Sequence, residues 1–160
     1  MSDLQKEKEE LIEMFGIHFE THHNLSPLSS RILGTLIVSC SKTGLTFEEL
    51  VSVIGASKSS VSTNLNLLLK LGKIEYYTVH GDRKKYFRPS SFGKRMQTYL
   101  EIVQDEKKMV ERMVRFRSKC KTTVEESTSL KKLEVYKEHV NDFEVFLNNT
   151  IQKLDKIENN

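Results

Sequence analysis

The stretch SKSSVSTNLNLLLKLG, residues 57–72, combines an apolar helix face with an unusually polar one. At about 100° per residue, Val61, Leu65 and Leu68 share one side, which would pack on a protein core. Six of the first seven residues are small and polar or basic, and the opposite side collects hydroxyl, amide and ammonium groups. A helix that only supports its own core does not need such an outer face. The pattern therefore predicts a helix whose outer face binds a polar partner.

The groups on this outer face are those that read DNA. An Asn side chain pairs bidentately with adenine, and Ser and Thr contact bases or phosphates. Backbone N–H groups at the start of a helix favour phosphate. A solvated surface helix rich in Ser and Asn is the alternative. The residues expected to contact DNA from this helix are Ser57, Lys58, Ser59, Ser62, Thr63, Asn66 and Lys70.

Positive charge is concentrated around the same helix. Residues 57–88 hold seven cationic and two anionic side chains, a net charge of +5, whereas the whole chain carries only +3. The rest of the chain is therefore net negative. Such a localised excess of cations indicates a polyanionic partner.

Local signals place this helix in a helix-turn-helix. Thr46, with Glu49 three residues on, forms a capping box that starts the preceding helix, and Gly55 ends that helix in a left-handed conformation. Only Ala56 separates Gly55 from Ser57, the expected N-cap of the next helix. Two short helices joined through a glycine-containing turn of this length are typical of the helix-turn-helix.

A β-hairpin is predicted directly after the helix. Residues 73–79, KIEYYTV, are rich in β-branched and aromatic side chains, HGD is a turn sequence, and residues 83–87, RKKYF, resume as a strand. Tyr76, Tyr86 and Phe87 are expected in the hairpin core rather than as platforms for base stacking.

The hairpin tip is the second predicted DNA contact. Arg83, Lys84 and Lys85 would reach the DNA backbone or the minor groove, which attracts Arg where it is narrow. Asp82 is expected to orient Arg83 through a charge-assisted hydrogen bond. An exposed hairpin with lysines that only increase solubility is the alternative.

Helices are predicted on both sides of this region, at residues 4–22, 28–41, 91–118 and 130–157. Ser26 would cap the second of these helices, and Pro27 fits its first turn. The last helix carries apolar residues at alternating spacings of three and four, a coiled-coil-like seam. The seam consists of Leu133, Tyr136, Val140, Phe143, Leu147, Ile151 and Leu154.

Three runs carry a family resemblance: LSPLSSRILGTL, LTFEELVSVIGASKSSVSTNLNLLLKLGKIE and GDRKKYFR. Together they resemble the winged helix-turn-helix of MarR-type transcriptional regulators, and they are most similar to the GbsR-like branch, named for control of glycine betaine synthesis. The resemblance covers residues 25–88. It implies a homodimer whose recognition helices enter successive major grooves of double-stranded DNA, with Arg83 at the wing and with intertwined N- and C-terminal helices.

The expected fold is mainly α with a small β-hairpin wing (α+β). We expect a single domain, 1–160, with a winged helix-turn-helix at 26–89 and dimerisation helices at 1–23 and 91–157. The expected function is that of a repressor that occludes a promoter at a palindromic operator and is released by a small-molecule effector. The resemblance makes a small quaternary amine one candidate effector, held by a cation–π cage.

Two alternatives keep the fold and change the function. A winged-helix protein-interaction module would need apolar or acidic residues on the outer helix face, and the sequence has neither there. A thiol-based redox regulator would use Cys120, which lies between the cationic Lys119 and Lys121 and would sense oxidants there.

Several other classes are disfavoured. The chain has no run of 18 apolar residues and no signal-peptide pattern, so a cytoplasmic protein without membrane contact is expected. Cys40, expected in the core, and Cys120 do not form a disulfide framework. His18 and His22 lie one helical turn apart without a further ligand at close spacing, so no metal site is expected. No phosphate loop or nucleophile motif is present, so neither an enzyme nor a cofactor is expected.

Overall fold

The structure is a computed structural model that describes residues 3–39, 43–120 and 122–158. Six helices and one three-stranded antiparallel sheet, with strand order β1-β3-β2, make up the described chain. The mainly α fold with a small sheet is therefore confirmed. The helices are α1 Asp3–His23, α2 Pro27–Val38, α3 Phe47–Ile54, α4 Lys58–Lys70, α5 Phe92–Cys120 and α6 Val124–Glu158, and the strands are β1 Leu45–Thr46, β2 Ile74–Thr78 and β3 Lys85–Pro89.

The chain divides into two compact units, Met1–Ser90 and Ser91–Asn160. The boundary falls where the predicted helix-turn-helix region ends. Spanning a bilayer takes a long helix that is apolar over most of its length, and the described ranges contain none.

The predicted helix caps are confirmed. The Ser26 side chain accepts a hydrogen bond from the Ser29 N–H, and Pro27 occupies the first turn of α2. Thr46 and Glu49 form a reciprocal capping box at the start of α3. Gly55 ends α3 with φ of 69°, a left-handed conformation that costs a glycine little. Gly55 thereby begins the turn that precedes α4.

The core of the N-terminal unit receives the predicted apolar face of α4. Val61, Leu65 and Leu68 are buried, and they pack in one cluster with Ile32 of α2 and Leu50 of α3. Helix α2 ends at Val38, three residues before its predicted end. Cys40, expected in this core, lies outside the described residues.

The sheet differs from the predicted hairpin in two ways. Strand β1 adds a third strand, which pairs Leu45 with Phe87, and two residues are too few to show a strand periodicity in the sequence. Strand β3 begins at Lys85 rather than at Arg83, because Arg83 and Lys84 belong to the turn. We call β2, β3 and the turn between them, residues 79–84, the wing.

The C-terminal unit is an antiparallel pair of long helices. Leu100 and Val103 of α5 pack against Val140 and Leu147 of α6, which confirms part of the predicted seam. Helix α6 begins at Val124, six residues before its predicted start. The residues just before Leu130 are mostly polar and show no helical apolar spacing, but the side chains at their start cap the helix.

Threonine and glutamate side chains provide this cap. The Thr123 hydroxyl accepts a hydrogen bond of 3.1 Å from the Glu126 N–H, and the Glu126 carboxylate accepts one of 2.9 Å from the Thr123 N–H. The Thr122 N–H donates to the same carboxylate at 2.7 Å. These hydrogen bonds hold the pKa of Glu126 below its usual range.

Candidate nucleic-acid interface

The outer face of α4 is exposed to solvent along its length. All seven residues predicted to contact DNA from this helix are exposed, whereas the apolar residues on the opposite face are buried. The exposed residues are Ser57, Lys58, Ser59, Ser62, Thr63, Asn66 and Lys70. Helix α4 therefore has the two faces that the sequence predicts.

Ser57 has a structural task in addition to its predicted contact. Its hydroxyl oxygen accepts a hydrogen bond of 3.2 Å from the Ser60 N–H, and its hydroxyl donates one of 2.8 Å to the Ser60 side chain. Because the first of these bonds caps α4, and because the Ser59 hydroxyl also lies 3.1 Å from it, the Ser57 hydroxyl is less available to a ligand than that of Ser62.

Asn64 joins α4 to the start of α2. Its side-chain oxygen accepts hydrogen bonds from the Ser26 hydroxyl at 2.9 Å and from the Ser29 hydroxyl at 2.6 Å. Its amide nitrogen donates to the Ser60 carbonyl at 2.8 Å. Asn64 therefore belongs to the scaffold, while Asn66, two residues further, points to solvent. The sequence places Asn64 near the apolar side, but it does not reveal these partners.

Asp82 organises the turn of the wing. Its N–H donates to the Val79 carbonyl at 2.9 Å, next to Gly81 with φ of 84°. Its carboxylate accepts hydrogen bonds from the Lys84 N–H at 2.9 Å and from the Tyr86 hydroxyl at 2.7 Å. These bonds hold the pKa of Asp82 below its usual range and raise the pKa of Tyr86. The predicted hydrogen bond to the Arg83 side chain is wrong, because the carboxylate is directed to the turn.

Two tyrosine rings of the wing form cation–π contacts. The Lys85 ammonium lies 4.2 Å from the centroid of the Tyr76 ring, and Arg88 lies over the Tyr77 ring at 5.1 Å. Arg88 also forms an ion pair of 2.8 Å with Glu75. Tyr76 is 45% exposed, so its predicted place in the hairpin core is wrong, whereas Phe87 is buried as predicted. Among the described residues, no ion pair engages the guanidinium of Arg83.

An open groove brings helix and wing together. Its volume is about 420 Å³, with polar residues of α4 on one wall, three cations of the wing on the other and apolar side chains at its floor. We call it the α4–wing groove. Its lining residues are Phe47, Glu48, Ser62, Leu65, Asn66, Leu69, Arg83, Lys84, Lys85 and Phe87.

The groove unites five of the ten predicted contact residues. Ser62 and Asn66 line it together with the three wing cations. The other five lie along α4 outside the groove. Glu48 is the one acidic residue of the lining. Its place there is not predictable from the sequence, because an acidic residue in the first turn of a helix is ordinary.

Three histidines at the end of α1 form a second polar cluster. The His18 ring lies 5.0 Å from the His22 ring and 5.5 Å from the His23 ring, measured between centroids. The Lys73 ammonium lies 3.2 Å from Nδ1 of His23. Burial, followed by the charge of Lys73, lowers the pKa of His23. Within the ranges described, no three side chains of His, Cys, Asp or Glu are placed to share a metal ion.

Similarity to a solved structure extends over nearly the whole chain. A crystal structure of a transcriptional regulator superposes with a TM-score of 0.66 at 24% sequence identity, over 94% of this chain and 99% of that one. The chain has the fold of a winged-helix transcriptional regulator. A MarR protein from Peptoclostridium difficile is a weaker match to this winged-helix fold, with a TM-score of 0.39 at 17% identity over 97% of this chain and 89% of that one.

Sequence similarity covers a shorter region of the winged-helix chain. Eighty-six residues are 40% identical to the HTH-type transcriptional regulator MmpR5 of Mycobacterium tuberculosis. The match covers 52% of this chain and 51% of that protein, so the chain spans about half the length of the curated relative it matches. No protein-family model matches the chain. The resemblance to the GbsR-like branch stays a prediction.

Proposed function

We propose that this protein is a MarR-type transcriptional regulator that binds double-stranded DNA. The observation that carries the proposal is the α4–wing groove, where the polar outer face of α4 meets the cations of the wing. The similarity to regulators with a helix-turn-helix supports the same function.

Helix α4 is the proposed recognition helix. A major groove about 12 Å wide admits one helix, and short side chains let the helix axis approach the base edges closely. Ser59, Ser62, Thr63 and Asn66 are exposed on the side that would face the bases. Lys58 and Lys70, near the two ends of α4, would contact phosphates.

The wing is proposed to contact the sugar–phosphate backbone of DNA. Arg83 and Lys84 are exposed in the turn and line the groove opposite α4. A projecting hairpin next to a helix in the major groove reaches the phosphates or the neighbouring minor groove. Lys85 is exposed and held over Tyr76, so it presents its charge at a defined position.

A second copy of the chain is proposed to bind the exposed apolar surface of the C-terminal unit. Helix α5 exposes Ile102, Met109 and Phe116, which follow helical spacing on one side. On α6, the stacked rings of Tyr136, His139, Phe143 and Phe146 are exposed. Because the Tyr136 hydroxyl donates to the Glu106 carboxylate of α5, the two stripes meet on one side of the unit. Stripes of this extent on a monomer indicate an interaction surface.

The homodimer determines the proposed form of regulation. A two-fold axis relates the same surface patch on both subunits, so two recognition helices would read a palindromic operator. The regulator would repress transcription by occluding a promoter. A small-molecule effector would release it by favouring a dimer with another spacing between the recognition helices.

Selection of bound duplexes from a random pool tests this function. We expect the selected duplex to contain a two-fold symmetric sequence and to bind more tightly than random duplex in an electrophoretic mobility assay. Binding to both should weaken as salt increases, because phosphate contacts release counterions. A chain that binds neither duplex at low salt would refute the proposal.

A matched pair of variants makes this test specific to α4. Thr63→Glu adds a negative charge to the proposed DNA-facing side and should abolish binding. Thr128→Glu makes the same change at an exposed position of α6 and should leave binding unchanged. Equal binding by the two variants would place the DNA-binding surface elsewhere.

A further inference from the structure

Glu48 places a negative charge in a groove whose other ionic residues are cations. It is the second residue of α3, it is exposed, and it lines the α4–wing groove with Arg83, Lys84 and Lys85. Charge complementarity to DNA would be stronger without it. Its position therefore calls for a physical explanation.

Helix capping does not explain Glu48. The neighbouring Glu49 carboxylate accepts hydrogen bonds from the Thr46 N–H at 2.7 Å and from the Thr46 hydroxyl at 2.8 Å, so Glu49 performs the capping task. Among the described residues, no hydrogen bond or ion pair engages the Glu48 carboxylate. Its charge near the helix start stabilises the helix only weakly, because the site is exposed to solvent.

The groove itself matches one sugar–phosphate strand. Its floor holds Phe47, Leu65, Leu69 and Phe87, which suit the apolar face of deoxyribose, and its walls hold cations and polar groups that suit phosphate. A helix in the major groove and a wing beyond the backbone would enclose such a strand between them. A phosphate seated on the cationic wall would then face the Glu48 carboxylate.

We propose that Glu48 is a charge brake on DNA binding, which weakens the hold of the α4–wing groove on the phosphate backbone. This inference rests on the proposed DNA-binding function. Phosphate contacts supply affinity for every sequence, and sites of unrelated sequence vastly outnumber an operator. A carboxylate in the groove lowers this general affinity, so that occupancy depends more on the base contacts of α4.

Replacement of Glu48 by Gln tests the brake. One unit charge about 4 Å from another in water changes binding by about fivefold, so Glu48→Gln should bind both selected and random duplex about fivefold more tightly at low salt. Glu48→Lys should bind more tightly still. Both gains should shrink as salt increases, because the carboxylate is exposed and its charge is screened.

Glu138→Gln is the matched control. Glu138 is exposed on α6 and does not line the groove, so its replacement changes the net charge by the same amount and should leave both affinities unchanged. Thermal unfolding of each variant, followed by circular dichroism, should match that of the parent within a few degrees. An equal gain in Glu138→Gln would show an effect of net charge alone and would refute the brake.

Other outcomes separate the two proposals. A parent protein that binds no duplex refutes the proposed function itself. A parent that binds both duplexes, with Glu48→Gln unchanged on both, leaves that function intact and refutes the brake. Weaker binding of Glu48→Gln to the selected duplex alone would also refute it, because the carboxylate would then be accepting a hydrogen bond from a base.

Discussion

The side-chain oxygen of Asn64 accepts a hydrogen bond of 2.6 Å from the hydroxyl of Ser29, a residue 35 positions earlier in the chain. Ser29 is fully buried in α2, and Asn64 lies on α4, the proposed recognition helix. The bond therefore joins the two helices at a place where water does not replace it. Together with the buried Val61, Leu65 and Leu68, this contact holds α4 on the unit and thereby directs Asn66 to solvent.

Loss of the Asn64 side chain should destabilise the N-terminal unit. Asn64→Ala leaves the buried Ser29 hydroxyl without its acceptor, which should lower the free energy of unfolding by about 1–3 kcal/mol. Asn66→Ala, two residues away and exposed, should change it by no more than about 0.5 kcal/mol. Urea unfolding of both variants measures the difference. Equal stability of the two variants would contradict the role given to Asn64.

The contrast between these two asparagines shows how far the sequence predicts the site. Helical periodicity separates Asn66 from the apolar face, because spacing alone decides which side of a helix a residue occupies. The partners of Asn64 come from another helix, and no local pattern encodes a contact between residues so distant in sequence. The sequence therefore predicted the polar face of α4 but not the contacts that orient it.

The same distinction applies to the fold. Caps at Ser26, Thr46 and Ser57 were predictable because each depends on a hydrogen bond to a residue three positions on. The cap at Thr123 carries the same signature with Glu126, but the polar residues after it concealed the start of α6. Strand β1 exists only through its pairing with β3, a tertiary contact.

Stability should depend on the protonation of His23. Its pKa is lowered in the folded chain, first by burial and then by Lys73, so the folded state disfavours the protonated ring. The free energy of unfolding should therefore have its highest value above the ordinary pKa of about 6.5. It should decrease as the pH falls through about 6.5 toward the lowered pKa. Urea unfolding between about pH 5.5 and 7.5 should show this slope.

Two variants isolate the contribution of this ring. His23→Gln should flatten the pH dependence in that range, because the titrating group is gone. Lys73→Met should reduce the slope without removing it, because burial is the larger cause of the lowered pKa. A slope that persists unchanged in His23→Gln would show that other groups cause the pH dependence.

The exposed stripes of the C-terminal unit predict the oligomeric state. Light scattering at micromolar concentration should report twice the chain mass of 18.6 kDa. Phe143→Glu places a charge within the stacked rings of α6 and should give a monomer. Val145→Glu, exposed on another side of the same helix, should remain dimeric. A monomeric parent would contradict the dimer and the palindromic operator.

Cys120 should be dispensable for DNA binding. The thiol is exposed near the end of α5, and the proposed DNA contacts lie on α4 and the wing. Cys120→Ser should therefore bind the selected duplex as the parent does, with and without peroxide. Release of the parent alone by peroxide would make the protein a redox sensor and would overturn this prediction.

A salt titration of Asn66→Ala and Lys84→Ala, each on selected and random duplex, tests most directly the claim that α4 reads bases and the wing holds the backbone. Base contacts carry discrimination, so Asn66→Ala should cost about 1–3 kcal/mol on the selected duplex and much less on the random one. Phosphate contacts carry salt dependence, so Lys84→Ala should weaken both duplexes alike and flatten the salt slope by about one unit. If Asn66→Ala weakens both duplexes equally while Lys84→Ala affects only the selected one, the roles of helix and wing are reversed and the proposed docking is wrong.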